Sequence, residues 1–153
     1  MHYVSIYIVK ELIYKLVETE QELTGAYEVR RQVFVEEQGI TEDLVFEGEG
    51  RDDEMDVAAL EEESVVGTVR VVFLTKDTVK IERMAVLESS RNKGVGKGII
   101  NFLDIQFKHR KVKSIVLHAQ HSAVRFYKSC GFTESGPFFF EAGIKHIKME
   151  LRY

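Results

Sequence analysis

The apolar periodicity of this chain switches between residues 56 and 119, and that switch restricts the folds open to it. Residues 56–61, 65–74 and 78–86 read as strands, the last two rich in β-branched side chains, and only the short polar links 62–64 and 75–77 separate them. Links this short join antiparallel neighbours, so the three runs predict consecutive hairpins. A polar loop follows at 88–93, and then the period lengthens. Val95, Ile99, Phe102, Leu103 and Phe107 fall on one stripe of a helix beginning at Gly94 or Val95. His109, Arg110 and Lys111 close it, where cations suit the negative helix end. The apolar run 114–119 then predicts a buried strand. Hairpins first and a strand–helix–strand crossover later predict an α+β fold built on a mixed sheet.

The flanks fit the same plan. Residues 3–9 and 13–18 predict strands. Thr19, with Glu22 three residues on, has the capping-box pattern, and Leu23, Ala26, Tyr27, Val33 and Phe34 share one helical stripe. That helix is expected to reach about Gln38 and to end at Gly39. Beyond 119, residues 122–130 predict a short helix closed by Gly131. Two strands are expected after it, one around 132–133 or 138–140 and one at 146–152. A chain of 153 residues suits a single domain over 1–153. Residues 1–12 are expected to add an N-terminal strand or extension, with edge pairing to a second copy, a homodimer, as one use for it.

Charge and cysteine usage narrow the partners. A formal net charge of −4 disfavours a phosphate backbone, so no nucleic-acid partner is expected. The lone Cys130 cannot form an internal disulfide. The apolar run 3–9 is too short to span a membrane and lacks the basic flank of a signal peptide. A cytoplasmic location is therefore expected. No cluster of Cys, His and Asp has metal-ligand spacing, so no metal is expected. The stretch 41–56 is crowded with Asp and Glu and is expected to be either a solvated loop or a cation-attracting rim of a cleft.

The segment Arg91-Asn92-Lys93-Gly94-Val95-Gly96-Lys97-Gly98 stands between a strand and a helix. Small residues let main-chain N–H groups approach an anion, and the helix start points its positive end at the same place. The spacing fits neither a Walker loop nor the dinucleotide fingerprint. Alone, it could equally be a plain turn into a helix. In context, Ile81-Glu82-Arg83-Met84-Ala85-Val86 followed by Arg91-x-x-Gly94-x-Gly96 resembles the acetyl-CoA-binding motif of GNAT superfamily N-acetyltransferases. The block 123–132 (AVRFYKSCGF) resembles that family's A-x-x-F-Y-x-x-x-G-F helix. Residues 31–38 (RQVFVEEQ) and 141–146 (EAGIKH) resemble a bacterial subgroup of small acetyltransferases. Where the family often has Asn, seven residues before the motif tyrosine, this chain has Gln120.

The resemblance implies a transfer of acetyl from acetyl-CoA to an amine of a small molecule or peptide; the alternative is a non-catalytic acyl-CoA-binding module. It implies that Arg91, Asn92, Lys93, Gly94, Val95, Gly96 and Lys97 cradle the pyrophosphate. Strand 78–86 would part from its neighbour and offer its edge at Met84, Ala85 and Val86 to the pantetheine arm, with Gln120 and Phe126 nearby. Tyr127 would stabilise the departing thiolate. Glu82 is the candidate base or water-orienting residue, against an ion pair with Arg83, Arg70 or Lys80. His118 and His146 are candidates for the acceptor pocket. Cys130 is expected to be a small core residue, and 138–140 to be core or a dimer-facing hairpin.

Overall fold

The computed structural model describes residues 11–50 and 54–153; the strand expected at 3–9 lies outside them. The chain runs β1 (Leu12–Leu16), α1 (Glu20–Arg30), a π-helical segment (Arg31–Glu37), α2 (Glu42–Val45), β2 (Glu54–Glu61), β3 (Ser64–Phe73) and β4 (Thr78–Val86). A short 3-10 turn (Glu88–Ser90) leads to α3 (Val95–His109), β5 (Ser114–Gln120), α4 (Val124–Ser129), β6 (Thr133–Glu141) and β7 (Ile144–Arg152). The strands form one sheet in the order β1-β2-β3-β4-β5-β7-β6. Every pairing is antiparallel except β4 with β5, which α3 connects. The α+β architecture on a mixed sheet is therefore as the periodicity predicts.

Helices cover the sheet in two clusters. Val95, Ile99, Leu103 and Phe107 of α3 join Val69, Val71, Ile81, Ile115 and Leu117 in the larger one. Each large side chain fully removed from water there contributes about 1.5–3 kcal/mol. Val29, Val33, Phe34, Val45 and Ala85 form the smaller one, under α1 and the segment after it. Thr19 caps α1 reciprocally: its Oγ1 accepts the Glu22 N–H at 3.1 Å, and Glu22 Oε1 accepts the Thr19 N–H at 3.1 Å.

Three expectations are corrected. The first helix does not stay α-helical to Gln38; from Arg31 to Glu37 it is π-helical. The wider turn carries an extra residue, which rotates everything after it. Val33 and Phe34 remain buried while Glu37 and Gln38 are exposed. Next, the acidic stretch is neither simply solvated nor simply a rim. Arg30 and Arg70 are 0% and 2% exposed, and charges that deep need countercharges. Glu49 supplies one to both, at 2.8 and 2.9 Å, and Asp56 pairs with Arg30. Finally, Thr133 and the segment 138–140 belong to a single strand, β6, which Phe132 immediately precedes, with a register shift between Glu134 and Phe138 around Gly136 and Pro137. Phe138 and Phe140 on it are 45% and 75% exposed, so they are not core.

One detail of the sheet opens it beside β4. The parallel pairing of β4 and β5 covers only Thr78↔Ser114, Val79↔Ile115 and Lys80↔Val116. Past Lys80 the two strands part. On its other side β4 shifts register against β3 between Thr68 and Arg70, where Arg83 takes a φ of +57°. A bulge of this kind bends and twists the strand that carries it.

Candidate active site

A cleft of about 990 Å³ opens where β4 and β5 part. It gathers residues far apart in sequence: Glu82, Met84, Ala85 and Val86 from β4, and Arg91, Asn92, Gly94, Val95, Gly96 and Lys97 from the loop and first turn of α3. His118 and Gln120 of β5, Phe126 and Tyr127 of α4 and His146 of β7 line it as well. Lys93 is exposed and does not line it.

At one end stands the glycine loop. Asn92 has a φ of +61° and Gly94 a φ of +81°, so the chain turns through left-handed backbone to enter α3. A Cβ at Gly94 would meet nothing within 4 Å, so the conformation explains the glycine there. The first-turn N–H groups of a 15-residue helix consequently face the cleft with no intrahelical partners. Gly98 has a different reason: a Cβ there would lie 2.0 Å from Tyr14 Oη, so it serves the contact of α3 with β1.

Two bridges cross from the π-helical segment to this end. Arg91 donates through both terminal nitrogens to Glu37, at 2.9 and 2.8 Å, and through Nε to the Val86 carbonyl at 3.0 Å. Gln120 Nε2 donates to Gln38 Oε1 at 2.8 Å. The longer arm of Gln at 120 thus reaches the opposite wall. Glu37 and Gln38 were not singled out from sequence, although they sit inside the segment 31–38 that resembles a bacterial subgroup.

At the middle of the cleft Tyr127 is only 7% exposed. It packs edge-on against Phe126 and Phe132, and burial pushes its phenol above the ordinary tyrosine range. It therefore keeps its proton and is able to donate a hydrogen bond.

Glu82 is gripped from behind. Arg70 Nε donates to its Oε1 at 3.1 Å and Lys80 Nζ stands 3.6 Å from its Oε2. Burial pushes the Glu82 carboxyl up, but Arg70, Lys80 and Arg83 outweigh it and hold the group below its ordinary value. Arg83 itself is tied to the Val45 and Leu44 carbonyls, at 2.9 and 3.1 Å, which pins α2 over this end. Here a second group of residues meets. His118 Nδ1 lies 3.4 Å from Glu141 Oε1, and His146 Nε2 lies 3.8 Å from Glu141 Oε2. His146 Nδ1 donates to the Ile144 carbonyl at 2.7 Å, and its ring stacks on Phe139. Glu141 and Glu47 also line the cleft and were not candidate site residues from sequence, although Glu141 opens the segment 141–146 that resembles a bacterial subgroup.

Glu49, Glu54 and Asp56 bring carboxylate oxygens within 4.8 Å of one another. Arg30 and Arg70 pair with this group and supply its countercharge. Among the described residues, no helix is long and apolar enough to cross a membrane.

Residues 18–153 match the family described as "Acetyltransferase (GNAT) domain". The uncharacterised N-acetyltransferase YjcF of Bacillus subtilis (strain 168) is 34% identical over 137 residues, which is 88% of this chain and 95% of that protein. An acyl-CoA N-acyltransferase structure from Pseudomonas aeruginosa matches with a TM-score of 0.78 at 22% identity, over 93% of this chain and 99% of that one. An aminoglycoside 6'-N-acetyltransferase complexed with coenzyme A matches with a TM-score of 0.75 at 15% identity, over 92% and 96% of the two chains.

Proposed function

The chain belongs to the GNAT acetyltransferase family, and from that premise we propose that it moves the acetyl group of acetyl-CoA directly to a primary amine of a small molecule or peptide. The observation that carries this is the parting of β4 from β5 beyond Lys80, which leaves the β4 edge at Met84–Val86 between the glycine loop and Tyr127. The α3 N–H groups, with Arg91, Asn92, Gly94, Gly96 and Lys97 around them, suit a pyrophosphate. Lys93, exposed beside the loop, would contribute field rather than contact. A main-chain N–H on the parted edge would stabilise the developing oxyanion, the type of preorganised dipole that supplies much of catalysis. Gln120 and Phe126 would flank the pantetheine arm, and the Tyr127 hydroxyl would hold the thiolate as it leaves.

The amine must be neutral to attack. At pH 7 that costs about 4.6 kcal/mol for a lysine-type amine and about 1.4 kcal/mol for an α-amine. Glu82, ionised by its cationic neighbours, suits the holding of an ammonium or the orienting of a water. His118 and His146 bound the same end, so the acceptor enters there.

The test is free-thiol release from acetyl-CoA across polyamines, aminoglycosides and peptide amines. Acceptor-dependent release supports the transferase. Tight binding of acetyl-CoA without release from any amine would instead identify a non-catalytic acyl-CoA-binding module.

A further inference from the structure

The structure assigns a proton-accepting role to His118, with Glu141 as the positioning residue behind it: the attacking amine's proton passes to His118 Nε2 while Nδ1–H is held by the Glu141 carboxylate. This rests on the acetyltransferase reading above and adds the residue that completes its chemistry.

Position comes first. Lys80 and Val116 are the last paired residues of β4 and β5. Glu82 and His118 stand two residues beyond them, so both side chains fall on one face and flank the point where the strands part. Both line the cleft. An acceptor nitrogen reaching a thioester beside the β4 edge must therefore pass between them.

Chemistry then separates the two. Glu82 is held ionised by Arg70 and Lys80, which makes it a poor proton acceptor. His118 sits 3.4 Å through Nδ1 from a carboxylate oxygen that can only accept, which places the ring proton on Nδ1. Nε2 is left as the basic atom, and among the described residues it bonds to no protein group. Its ring is held edge-on by Phe139 at 5.0 Å between centroids. His146 cannot play this part, because Nδ1 is committed to the Ile144 carbonyl and Nε2 faces Glu141. The groups facing His118 are Lys80 and Glu82 of β4, Glu141 of β6, and His146 and Lys148 of β7, the last opposite it in register. Burial first and Lys80 next lower its pKa, opposed by Glu141, so the ring is neutral at pH 7.

The step balances without further reagents. The neutral amine forms the N–C bond to the thioester carbonyl, which leaves its nitrogen positively charged and strongly acidic. An imidazole of lowered basicity still takes that proton readily. The C–S bond then breaks, and the imidazolium returns the proton through solvent to the CoA thiolate. Amide and free CoA thiol are the only products. During the step Glu141 neutralises the imidazolium.

Two measurements test this. With acetyl-CoA and an amine that gives thiol release, kcat should fall about 10²–10⁴-fold in His118→Gln, with acetyl-CoA affinity retained. The acid-side break of the kcat profile that the histidine sets, below the separate break set by deprotonation of the amine, should vanish in that variant. In Glu141→Gln it should move to lower pH, because the carboxylate that favours the imidazolium is gone. Retention of both the rate and the histidine break in His118→Gln overturns the inference. The second measurement is an NMR titration of isotope-labelled histidine in the free protein, the His118 signal being identified by its loss in His118→Gln. A bare Nε2 and a midpoint below that of a free histidine, lower still in Glu141→Gln, are expected. A bare Nδ1, or a midpoint indifferent to Glu141→Gln, overturns the dyad in the folded protein whether or not turnover is found. Absence of thiol release from every amine, by contrast, overturns the reading on which the inference rests.

Discussion

Arg70 links stability to the chemistry of the cleft. Its side chain is 2% exposed and touches Glu49, Glu54, Glu82 and the Glu47 carbonyl. Removing it takes from Glu49 and Glu82 the cation they share. Arg70→Ala should therefore lose about 3–5 kcal/mol in a denaturant titration. Glu82 gives the matching pH effect. Its folded carboxyl is held below the ordinary value, so its contribution is complete above the ordinary carboxylate range and is lost as pH falls through the folded value. Melting temperature against pH should accordingly fall less on the acid side in Glu82→Gln than in the parent. At Tyr127 the outcome is kinetic. Tyr127→Phe removes only the hydroxyl and keeps the ring contacts with Phe126 and Phe132. Its kcat should drop on the order of 10²-fold, about 2.7 kcal/mol of transition-state stabilisation, with the melting temperature little changed.

Among the elements, α3 has two duties that meet within one turn. Its N-terminus faces the cleft, while Gly98 lets its body lie directly on Tyr14 of β1. Gly98→Ala would drive a Cβ into the tyrosine ring. A loss of about 1–3 kcal/mol is expected from such overpacking. In a double-mutant cycle with Tyr14→Ala, the two changes should couple by more than about 0.5 kcal/mol, whereas sites that do not touch add independently. The π-helical segment has an equivalent double role. Val33 and Phe34 anchor it in the smaller core cluster, and Glu37 and Gln38 carry its bridges to Arg91 and Gln120.

For the molecule as a whole, the cleft is bounded by pieces from both halves of the chain: the π-helical segment and α2, the β4 edge, the α3 and α4 starts and the β6–β7 turn. A ligand that fills it contacts elements from both core clusters, and binding to the native state alone stabilises all of them together. Coenzyme A at 100 times its dissociation constant should raise the unfolding free energy by about 2.7 kcal/mol, visible as a higher melting temperature. No change on addition of coenzyme A would remove the CoA-binding half of the proposed function.

The order of periods, the capping box at Thr19 and Glu22, and the glycine loop before α3 were legible because each is a local pattern: the residues that cause the structure stand within a few positions of it. The α+β fold followed from those patterns and from the family resemblance, and the site residues named from sequence, Lys93 excepted, line one cleft whose α2 and π-helical wall was not foreseen. The π-helical turn at Arg31–Glu37 was not legible, since an extra residue in one turn leaves the apolar spacing almost unchanged. Neither was the fate of the acidic stretch. Carboxylates in sequence look alike whether they face water or a buried guanidinium, and only the packing of α1 against β3 places Arg30 and Arg70 where they must be answered. The same holds for His118 and Glu141, which are 23 residues apart and meet only across the sheet. Sequence alone determined the main strands and helices and where a glycine loop stands before α3. Tertiary structure decided which charges pair, because a charge removed from water takes its partner from whatever the fold brings near.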